Sequence, residues 1–483
     1  MSIYQAMFRR WDLSKPALMS VDSTQTYADL HQQVLNTVGW LQEQGVSGGD
    51  ILCVQLPKSE RLLYLLLAGL AMGVPVLPLN DRYTASEVTY YVKDVRAKLS
   101  ILLVKPLDWY GKVMLADELP DIFPMTQTVE LPLDIAPGDL ALLLYTSGTT
   151  GRPKGAMISH GNLLASIKAL HTAWQWQSTD RLLHLLPLFH VHGLVVAQFG
   201  ALYANACTLW MPPKWTPDSV VEAWSVHQIS ICMMVPTIVH RLLSVSSVPE
   251  LPYLRLCTSG SAPLPVSTHQ AFEGKFGRHI VERYGMTEVG IVLSNPYEGE
   301  QRAGTVGFPL GEMQFRIVGS NGEPCAFGEV GELLIAGPSV ISGYWEQPEA
   351  TQRTIVDGWL HSGDLATLDA DGYYSIVGRS KDLIISGGFN VYPKEVEQVL
   401  LTLEGVQDVA VVGLPSKEWG EEVVAVVVGD VDWSSVENIA KEQLAPYKRP
   451  KHLLMVEAFP RNAMGKVQKA TLRERVAKQF SIH

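Results

Sequence analysis

An apolar run at residues 141–144 leads directly into a loop rich in glycine and hydroxyl side chains, and this junction strongly limits the possible folds. The loop, residues 145–155, reads Tyr-Thr-Ser-Gly-Thr-Thr-Gly-Arg-Pro-Lys-Gly. Glycine lets backbone N–H groups approach an anion closely, while hydroxyl and ammonium groups donate hydrogen bonds to phosphate oxygens. A buried strand that ends in such a loop predicts an α/β domain with a phosphate site at the carboxyl end of that strand.

Two better-known phosphate loops do not fit this segment. A Walker A loop requires Ser or Thr after its lysine, whereas Gly155 follows Lys154, and the dinucleotide pattern Gly-x-Gly-x-x-Gly is absent from the loop. A flexible surface loop is a weaker explanation, because such loops usually lack paired threonines and a lysine at fixed offsets. We therefore assign phosphate binding to seven residues: Thr146, Ser147, Gly148, Thr149, Thr150, Gly151 and Lys154.

Length and composition narrow the class of protein. The chain has 483 residues, enough for two or more domains. Its net charge of −11 argues against a nucleic-acid partner, and its five scattered cysteines argue against a disulfide framework or a zinc site. An N-terminus without the apolar core of a signal peptide also favours a cytoplasmic location. Residues 62–79 are uncharged but include Pro75 and Pro78, so we expect a buried helix and a short strand, with no membrane span.

Apolar strands alternate with amphipathic helices over the first two-thirds of the chain. The pattern predicts helices at 59–72, 85–95 and 161–170, and strands at 51–56, 74–77, 99–104, 232–235 and 254–259. This alternation is typical of α/β layers with largely parallel sheets. After residue 304, glycine turns separate short strands at 314–318, 332–336 and 373–377, which predicts a small antiparallel or barrel-like subdomain.

We place a domain boundary after Arg379, giving a large N-terminal domain at 1–379 and a small C-terminal domain at 380–483. The C-terminal part is predicted to be a compact α+β unit, with helices at 393–403 and 436–444 and strands at 409–412 and 423–428. Its segment 448–478 is rich in Lys and Arg. From charge alone, a solvated basic tail explains that segment as well as a function does.

Further motifs follow the loop in a fixed order. They are 187–193 (Pro-Leu-Phe-His-Val-His-Gly), 259–263 (Ser-Gly-Ser-Ala-Pro), 282–288 (Glu-Arg-Tyr-Gly-Met-Thr-Glu), 343–345 (Gly-Tyr-Trp), 362–364 (Ser-Gly-Asp), 378–379 (Gly-Arg), 386–395 (Ser-Gly-Gly-Phe-Asn-Val-Tyr-Pro-Lys-Glu) and 460–466 (Pro-Arg-Asn-Ala-Met-Gly-Lys). Together they make the chain resemble the adenylate-forming enzymes, which include acyl-CoA synthetases, luciferases and peptide-synthetase adenylation domains. Three of the motifs look like malonyl-CoA synthetases in particular.

The resemblance implies two chemical steps in one site. A carboxylate attacks the α-phosphate of ATP and releases pyrophosphate, and a thiol, usually that of coenzyme A, then displaces AMP from the acyl-adenylate. Neither step needs a protein nucleophile, so catalysis rests on positioning and on stabilising charge at the phosphate oxygens. The expected cofactors are ATP, Mg²⁺ and coenzyme A. The expected C-terminal domain is mobile between the two steps.

Site roles follow from the resemblance, motif by motif. The nucleotide site is expected to include Gly260, Ser261, Ala262, Tyr284, Gly285, Asp364 and Arg379. Tyr284 would stack on adenine, its alternative role being core packing. Asp364 would accept hydrogen bonds from both ribose hydroxyls with help from Arg379, its alternative role being a turn cap. Thr287 would donate to the α-phosphate, and Glu288 would be a hard oxygen ligand for Mg²⁺.

The C-terminal domain is expected to contribute a lysine and a thiol path. By resemblance, Lys466 is the catalytic cation that bridges the carboxylate and the phosphate during adenylation, a task that suits a point charge on a long stem. Lys381 occupies the expected hinge between the two half-reactions. Gly387 and Gly388 would line the coenzyme A tunnel, where small residues leave room for the pantetheine arm.

The acid is suggested by Arg283 and His192. A charged residue beside Tyr284 is unfavourable in an apolar acyl pocket unless it is paired. Arg283 therefore favours an acid with a second carboxylate, with malonate or methylmalonate leading. Its alternative role is an ion pair with Glu282 or another neighbouring acid that only supports the loop, and His192 could orient substrate or be a satisfied core histidine.

Two other substrate classes stay open at this point. One is a short-chain, medium-chain or aromatic monocarboxylic acid. The other is an amino acid loaded onto a carrier protein, but those enzymes usually place an aspartate in the motif at 189–193 to hold the substrate ammonium. This chain has His190 and His192 there, and no acid.

Overall fold

The computed structural model describes residues 1–20, 23–125, 129–132, 134–146, 153–461 and 466–480. The α-helices of these residues are α1 (Ile3–Phe8), α2 (Tyr27–Glu43), α3 (Glu60–Met72), α4 (Ala85–Asp94), α5 (His160–Trp174), α6 (Gly200–Ala204), α7 (Pro217–Val226), α8 (Pro236–Leu242), α9 (Val266–Phe276), α10 (Pro348–Thr354), α11 (Pro393–Leu400), α12 (Trp433–Gln443) and α13 (Lys469–Phe480). A π-helix spans His192–Phe199, and 3₁₀ turns span Ser380–Asp382 and Pro446–Lys448.

The strands build four sheets. They are β1 (Pro16–Met19), β2 (Thr24–Thr26), β3 (Leu52–Val54), β4 (Val76–Pro78), β5 (Leu99–Leu102), β6 (Lys112–Leu115), β7 (Leu140–Thr146), β8 (Lys154–Ser159), β9 (Arg181–His184), β10 (Cys207–Trp210), β11 (Ile231–Met234), β12 (Leu256–Ser259), β13 (Ile280–Met286), β14 (Gly290–Ser294), β15 (Phe308–Pro309), β16 (Gln314–Val318), β17 (Gly331–Ala336), β18 (Ile355–Val356), β19 (Trp359–Leu368), β20 (Tyr374–Arg379), β21 (Ile384–Ser386), β22 (Phe389–Val391), β23 (Val406–Ser416), β24 (Gly420–Gly429) and β25 (His452–Met455).

The two large sheets of the N-terminal domain are mainly parallel, as the alternation of strands and helices predicts. One has the strand order β6-β5-β3-β4-β7-β8, and only its last pair is antiparallel. The other has the order β15-β14-β13-β12-β11-β9-β10-β1-β2, with a parallel centre and antiparallel edges. Ligand sites in such sheets lie beyond the carboxyl ends of the parallel strands.

The uncharged stretch at 62–79 is a buried helix followed by a strand. Helix α3 begins after Ser59, whose hydroxyl accepts from Leu62 N, and ends at Gly73, which adopts a left-handed φ of 69°. Its residues from Leu62 to Met72 are all buried in the protein core. Within the described ranges, no helix is long and apolar enough to cross a membrane.

A third sheet completes the N-terminal domain. Its antiparallel strands run in the order β16-β17-β19-β18, with β20 paired to β19, and match the predicted barrel-like subdomain. A hairpin turn at 369–372 lies between β19 and β20, where Tyr373 N donates to Asp369 Oδ1. This hairpin brings Asp364 opposite Arg379.

The C-terminal unit is α+β, as predicted. Its sheet has the order β22-β21-β24-β23 with β25 beside β24; α11 and α12 pack on one face and α13 on the other. The basic segment at 448–478 is not merely a solvated tail. Four of its cations form ion pairs within the unit: Lys448 with Glu395, Arg461 with Asp408, Lys469 with Glu397, and Arg473 with Asp382.

Lys394 of helix α11 contacts the preceding domain. Lys394 Nζ donates to the carbonyl of Ile376, on β20, at 2.6 Å. Burial lowers the pKa of this lysine, and Glu282 and Glu397 oppose that shift. This contact helps to hold the C-terminal unit against the third sheet. The exact division at residues 379 and 380 remains a prediction.

Candidate active site

The site lies where strands β9, β12 and β13 of the larger sheet end. Ser259, the last residue of β12, pairs with Glu282 of β13, so the segment that begins at Gly260 lies beside Arg283. The sequence predicted the segment at 260–262 to bind the nucleotide and Arg283 to lie near the acid, but strand β13 was not predicted. That strand, which ends at Met286, holds most of the motif at 282–288 in an extended conformation.

Arg283 is a buried cation without a hydrogen-bond partner for two of its nitrogens. The residue is 4% exposed, and its Nε and Nη2 atoms bond to none of the described residues. Burial lowers the pKa of the guanidinium to about 9. A Cβ at Gly260 would lie only 2.5 Å from Arg283 Cζ, so the guanidinium lies directly against bare backbone.

The neighbouring carboxylate does not neutralise Arg283. Glu282 Oε1 lies 3.0 Å from His269 Nδ1 and accepts from Gly304 N at 2.9 Å. The Arg283–Glu282 ion pair considered above is therefore wrong: consecutive residues on a strand point to opposite faces of the sheet. Arg283 faces the pocket while Glu282 packs behind it.

Two histidines share this pocket with Arg283. The Nε2 atoms of His190 and His192 are buried and bond to no described residue, and His192 Nδ1 lies 3.4 Å from Ser261 Oγ. Burial holds the pKa of His192 well below its ordinary value, and the charge of Arg283 lowers it further. Burial likewise lowers the pKa of His190 to about 4, with a contribution from Lys466. Both imidazoles are therefore neutral, each with one donor and one acceptor nitrogen.

Asp364 is the centre of a second cluster. Its carboxylate is 2.7 Å from Arg379 Nε through Oδ1 and accepts from the Tyr284 hydroxyl at 2.6 Å through Oδ2. Asp364 lies inside strand β19 and is buried, so it does not act as a turn cap. Burial raises the pKa of Tyr284, and the adjacent Asp364 charge raises it further. The phenol is thus a permanent donor that fixes the plane of its ring.

Glu288 is held by a tyrosine that sequence reasoning did not select. Glu288 is 5% exposed, and its Oε1 accepts from the Tyr344 hydroxyl at 2.9 Å. Burial raises the pKa of this carboxyl. Lys154 Nζ lies 5.1 Å from the centroid of the Tyr344 ring, so Tyr344 joins the end of the phosphate loop to Glu288. The Gly-Tyr-Trp motif at 343–345 was the sequence signal that could have identified Tyr344 as a site residue.

Lys466 lies among the charged groups of the site. The residue is exposed to solvent. Desolvation nevertheless lowers the pKa of its ammonium, as do Arg379 and Arg283, whereas Asp364 and Glu288 oppose the shift. The structure therefore brings a lysine of the C-terminal unit to residues of two sheets of the N-terminal domain.

Comparison with known proteins decides the family. The AMP-binding enzyme family matches residues 5–345, and its C-terminal domain matches residues 395–466. The chain belongs to the AMP-binding enzyme family. It resembles the sulfoacetate–CoA ligase of Cupriavidus necator, at 34% identity over 95% of this chain and 94% of that protein.

Two further comparisons cover nearly the whole chain. The mitochondrial malonate–CoA ligase ACSF3 of Mus musculus is 35% identical over 90% of this chain and 82% of its own length. The crystal structure of ATP-bound MatB from Rhodopseudomonas palustris is 35% identical, with a TM-score of 0.93 over 99% of this chain and 100% of that one. The fold prediction is confirmed, and the chain is an AMP-forming acid–thiol ligase.

The remaining predicted residues of this AMP-binding enzyme are spread along the chain. Thr146 and Lys154 pair across strands β7 and β8, whereas Ser147, Gly148, Thr149, Thr150 and Gly151 lie outside the described residues. Ala262 follows Ser261, whose φ is 70°. Thr287 lies between β13 and β14, close to Gly285, where a Cβ would be 2.0 Å from Gly290 O.

Lys381 lies in the 3₁₀ turn at Ser380–Asp382, between the two domains. Gly387 and Gly388 turn the chain between β21 and β22 with φ values of 60° and 80°. A Cβ at Gly387 would lie 3.1 Å from the Trp419 ring of the same unit. Positive φ at both positions favours glycine, independently of any role in thiol binding.

Proposed function

We propose that this chain is an ATP-dependent acyl-CoA synthetase whose acid carries a second anionic group, with malonate or methylmalonate the leading substrates. The observation that carries the proposal is the buried Arg283, whose Nε and Nη2 atoms bond to no residue that the structure describes. An unpaired buried charge is unfavourable by about 3–5 kcal/mol. A second carboxylate would accept hydrogen bonds from Nε and Nη2 and remove that penalty.

The groups around Arg283 are suited to binding a small acid that carries a second charge. Neutral His190 and His192 add hydrogen-bonding capacity without competing for the anion, and Ser261 adds a hydroxyl. An aliphatic or aromatic monocarboxylate would leave Arg283 unpaired. Two relatives are named for malonate and for sulfoacetate, and both acids join a carboxylate to a second anion through one carbon.

The second cluster suits the nucleoside of ATP. The Asp364 carboxylate keeps acceptor capacity beyond its bonds to Arg379 and Tyr284, enough to bind ribose hydroxyls. Tyr284 is held by that carboxylate and offers a ring face for adenine. The phosphates would be held by the loop at 146–154 and by Thr287.

Glu288 fits a role toward Mg²⁺. It is a buried carboxylate with Oε1 fixed by Tyr344, and the described residues include no group of three metal-binding side chains. Mg²⁺ commonly binds through one or two carboxylates and substrate phosphates, so a single glutamate is sufficient. When bound, the ion would offset negative charge on the ATP phosphates.

In the first step, a carboxylate oxygen of the acid forms a bond to the α-phosphorus, and the bond from that phosphorus to the bridging oxygen of pyrophosphate breaks. Lys466 places its ammonium between the acid and the α-phosphate, where charge accumulates. In the second step, the coenzyme A thiol displaces AMP after the C-terminal domain turns at Lys381. Gly387 and Gly388 would then admit the pantetheine arm.

Pyrophosphate release from ATP and Mg²⁺ tests the proposal without coenzyme A. The acid panel is malonate, methylmalonate, sulfoacetate, butyrate and ferulate, with a reaction lacking acid as the control. We expect malonate or methylmalonate to give the highest kcat/KM. Sulfoacetate as the best substrate would keep the two-anion class and replace its second group by a sulfonate. Faster release with butyrate or ferulate would contradict the proposal.

A further inference from the structure

We propose that Lys58 is a positioning residue of the acyl site, which acts through His184 on the segment that carries His190 and His192. Lys58 follows strand β3 of one sheet, while His184 ends strand β9 of the other. The Lys58 ammonium donates to His184 Nδ1 at 2.8 Å and to the His184 carbonyl at 2.6 Å. This contact joins the two large sheets at their carboxyl ends.

The hydrogen bonds fix the tautomer of His184. Its Nε2 lies 2.8 Å from the carbonyl of Gly193, and a carbonyl can only accept, so Nε2 carries a proton. Burial and the charge of Lys58 keep the imidazole neutral by holding its pKa well below the ordinary value. A neutral imidazole has one N–H, so Nδ1 is the acceptor for Lys58. Without that donor, the opposite tautomer would lose the bond to Gly193.

Gly193 connects His184 to His192, because it accepts the hydrogen bond from His184 and directly follows His192 in the chain. A Cβ at Gly193 would lie 2.0 Å from Pro187 O, so the segment at 187–193 closes tightly on itself. Leu194 N donates to His190 O at 2.9 Å, and this bond also holds the segment in its tight turn. Because His192 directly precedes Gly193, the bond from His184 sets the distance of His192 from Arg283 and Ser261.

The chemistry around Lys58 argues against an ordinary ion-paired lysine. Within the described part of the chain, no carboxylate lies within ion-pairing distance of Lys58. The centroid of the Trp210 ring lies 5.5 Å from Lys58 Nζ. The side chain is only half-buried, yet desolvation of its ammonium lowers the pKa of Lys58 to about 7. Among the described residues, the hydrogen bonds to His184 and the ring face of Trp210 offset the loss of water around this ammonium. This inference rests on the proposed acyl site and does not depend on which acid is bound.

The first test compares Lys58→Met with Lys275→Met. Lys275 also donates to backbone carbonyls, those of Leu243 and Val245, but lies far from the site on α9. Using the acid that wild type adenylates fastest, we expect K58M to raise the KM for that acid about tenfold, with the KM for ATP changed less than twofold. Lys58→Arg keeps N–H donors and should recover part of the loss. K275M should change neither KM.

Equal increases in both KM values for K58M, or an unchanged KM for the acid, would overturn the inference. A second measurement does not depend on activity. In histidine-labelled protein, ¹⁵N chemical shifts should show His184 protonated at Nε2, with His184→Gln identifying its resonances. K58M should convert this signal to a mixture of tautomers. A single Nε2-protonated form that persists in K58M, or an Nδ1-protonated wild type, would overturn the inference, even if no acid is adenylated.

Discussion

The guanidinium of Arg283 occupies the space that a side chain at position 260 would need, since a Cβ on Gly260 would lie 2.5 Å from Arg283 Cζ. Gly260 was assigned to the nucleotide site because a purine could lie against its backbone. The contact with Arg283 is a second reason why glycine is needed at position 260. Position 260 therefore controls the placement of the cation that we assign to the acid.

Gly260→Ala is expected to displace Arg283 and weaken acid binding. The KM for malonate should rise at least tenfold, while the KM for ATP should change much less, because the Asp364 cluster is separate. Gly274→Ala is the matched control: its Cβ would meet nothing within 4 Å, and alanine favours the helix in which it lies. Steady-state pyrophosphate release measures both. A G260A enzyme with a wild-type KM for malonate would show that Arg283 does not bind the acid.

Arg283→Ala should reverse the preference between acid classes. Hydrogen bonds to charged groups contribute about 1.5–3 kcal/mol, so kcat/KM for malonate should fall roughly 10- to 150-fold. Butyrate turnover should rise, because the pocket no longer contains an unpaired charge. Arg278→Ala is the control, since that guanidinium donates to the carbonyls of Leu254 and Leu251 away from the site. Equal losses for malonate and butyrate would contradict a specificity role.

Local signals allowed much of this fold to be predicted. Helix α3 has Ser59 at its start and Gly73 at its end, and both caps act within one turn, so the sequence alone marks its limits. The strand pairing of Asp364 with Arg379 was harder to predict from the sequence. Counting back from the turn at 369–372 pairs Asp364 with Gly378, but a bulge between Leu365 and Ala366 shifts the register by one residue.

Contacts between distant segments could not be predicted in the same way. The bond between Tyr344 and Glu288 joins residues 56 positions apart, and that between Lys58 and His184 joins residues 126 apart. No local sequence pattern around these residues indicates that either pair is in contact. The π-helix at His192–Phe199 was also missed, because its apolar sequence is equally typical of a buried α-helix or strand.

Lys466→Ala should separate the two half-reactions. Its ammonium lies among Arg283, Asp364, Arg379 and Glu288 in the present domain arrangement, which suits adenylation. We expect pyrophosphate release to fall at least a hundredfold, while thioester formation from a supplied acyl-adenylate stays near wild type. Lys441→Ala, an exposed lysine paired with Glu437, should affect neither step. Pyrophosphate exchange into ATP at a wild-type rate in K466A would remove Lys466 from the first step.

Tyr344→Phe should weaken the function of Glu288 without removing its carboxylate. The Tyr344 hydroxyl donates to Glu288 Oε1 and so stabilises the charged form, opposing the burial that raises the pKa of Glu288. Loss of this bond should raise the pKa further, so the carboxylate becomes protonated at a higher pH. The acidic limb of the pH–rate profile should therefore move to higher pH. The Mg²⁺ concentration for half-maximal rate should rise roughly 2- to 10-fold.

Tyr373→Phe provides the control for this experiment. It loses a comparable hydrogen bond, from its hydroxyl to the carbonyl of Glu300 at 2.9 Å, in the same domain but away from Glu288. A direct Mg²⁺ titration of the Tyr344→Phe protein with bound ATP, followed by calorimetry, should show the same loss of affinity as the kinetics. If both variants shift the pH profile equally, the effect belongs to domain stability and not to Glu288. An unshifted acidic limb with normal Mg²⁺ affinity would exclude Tyr344 as the residue that positions this carboxylate.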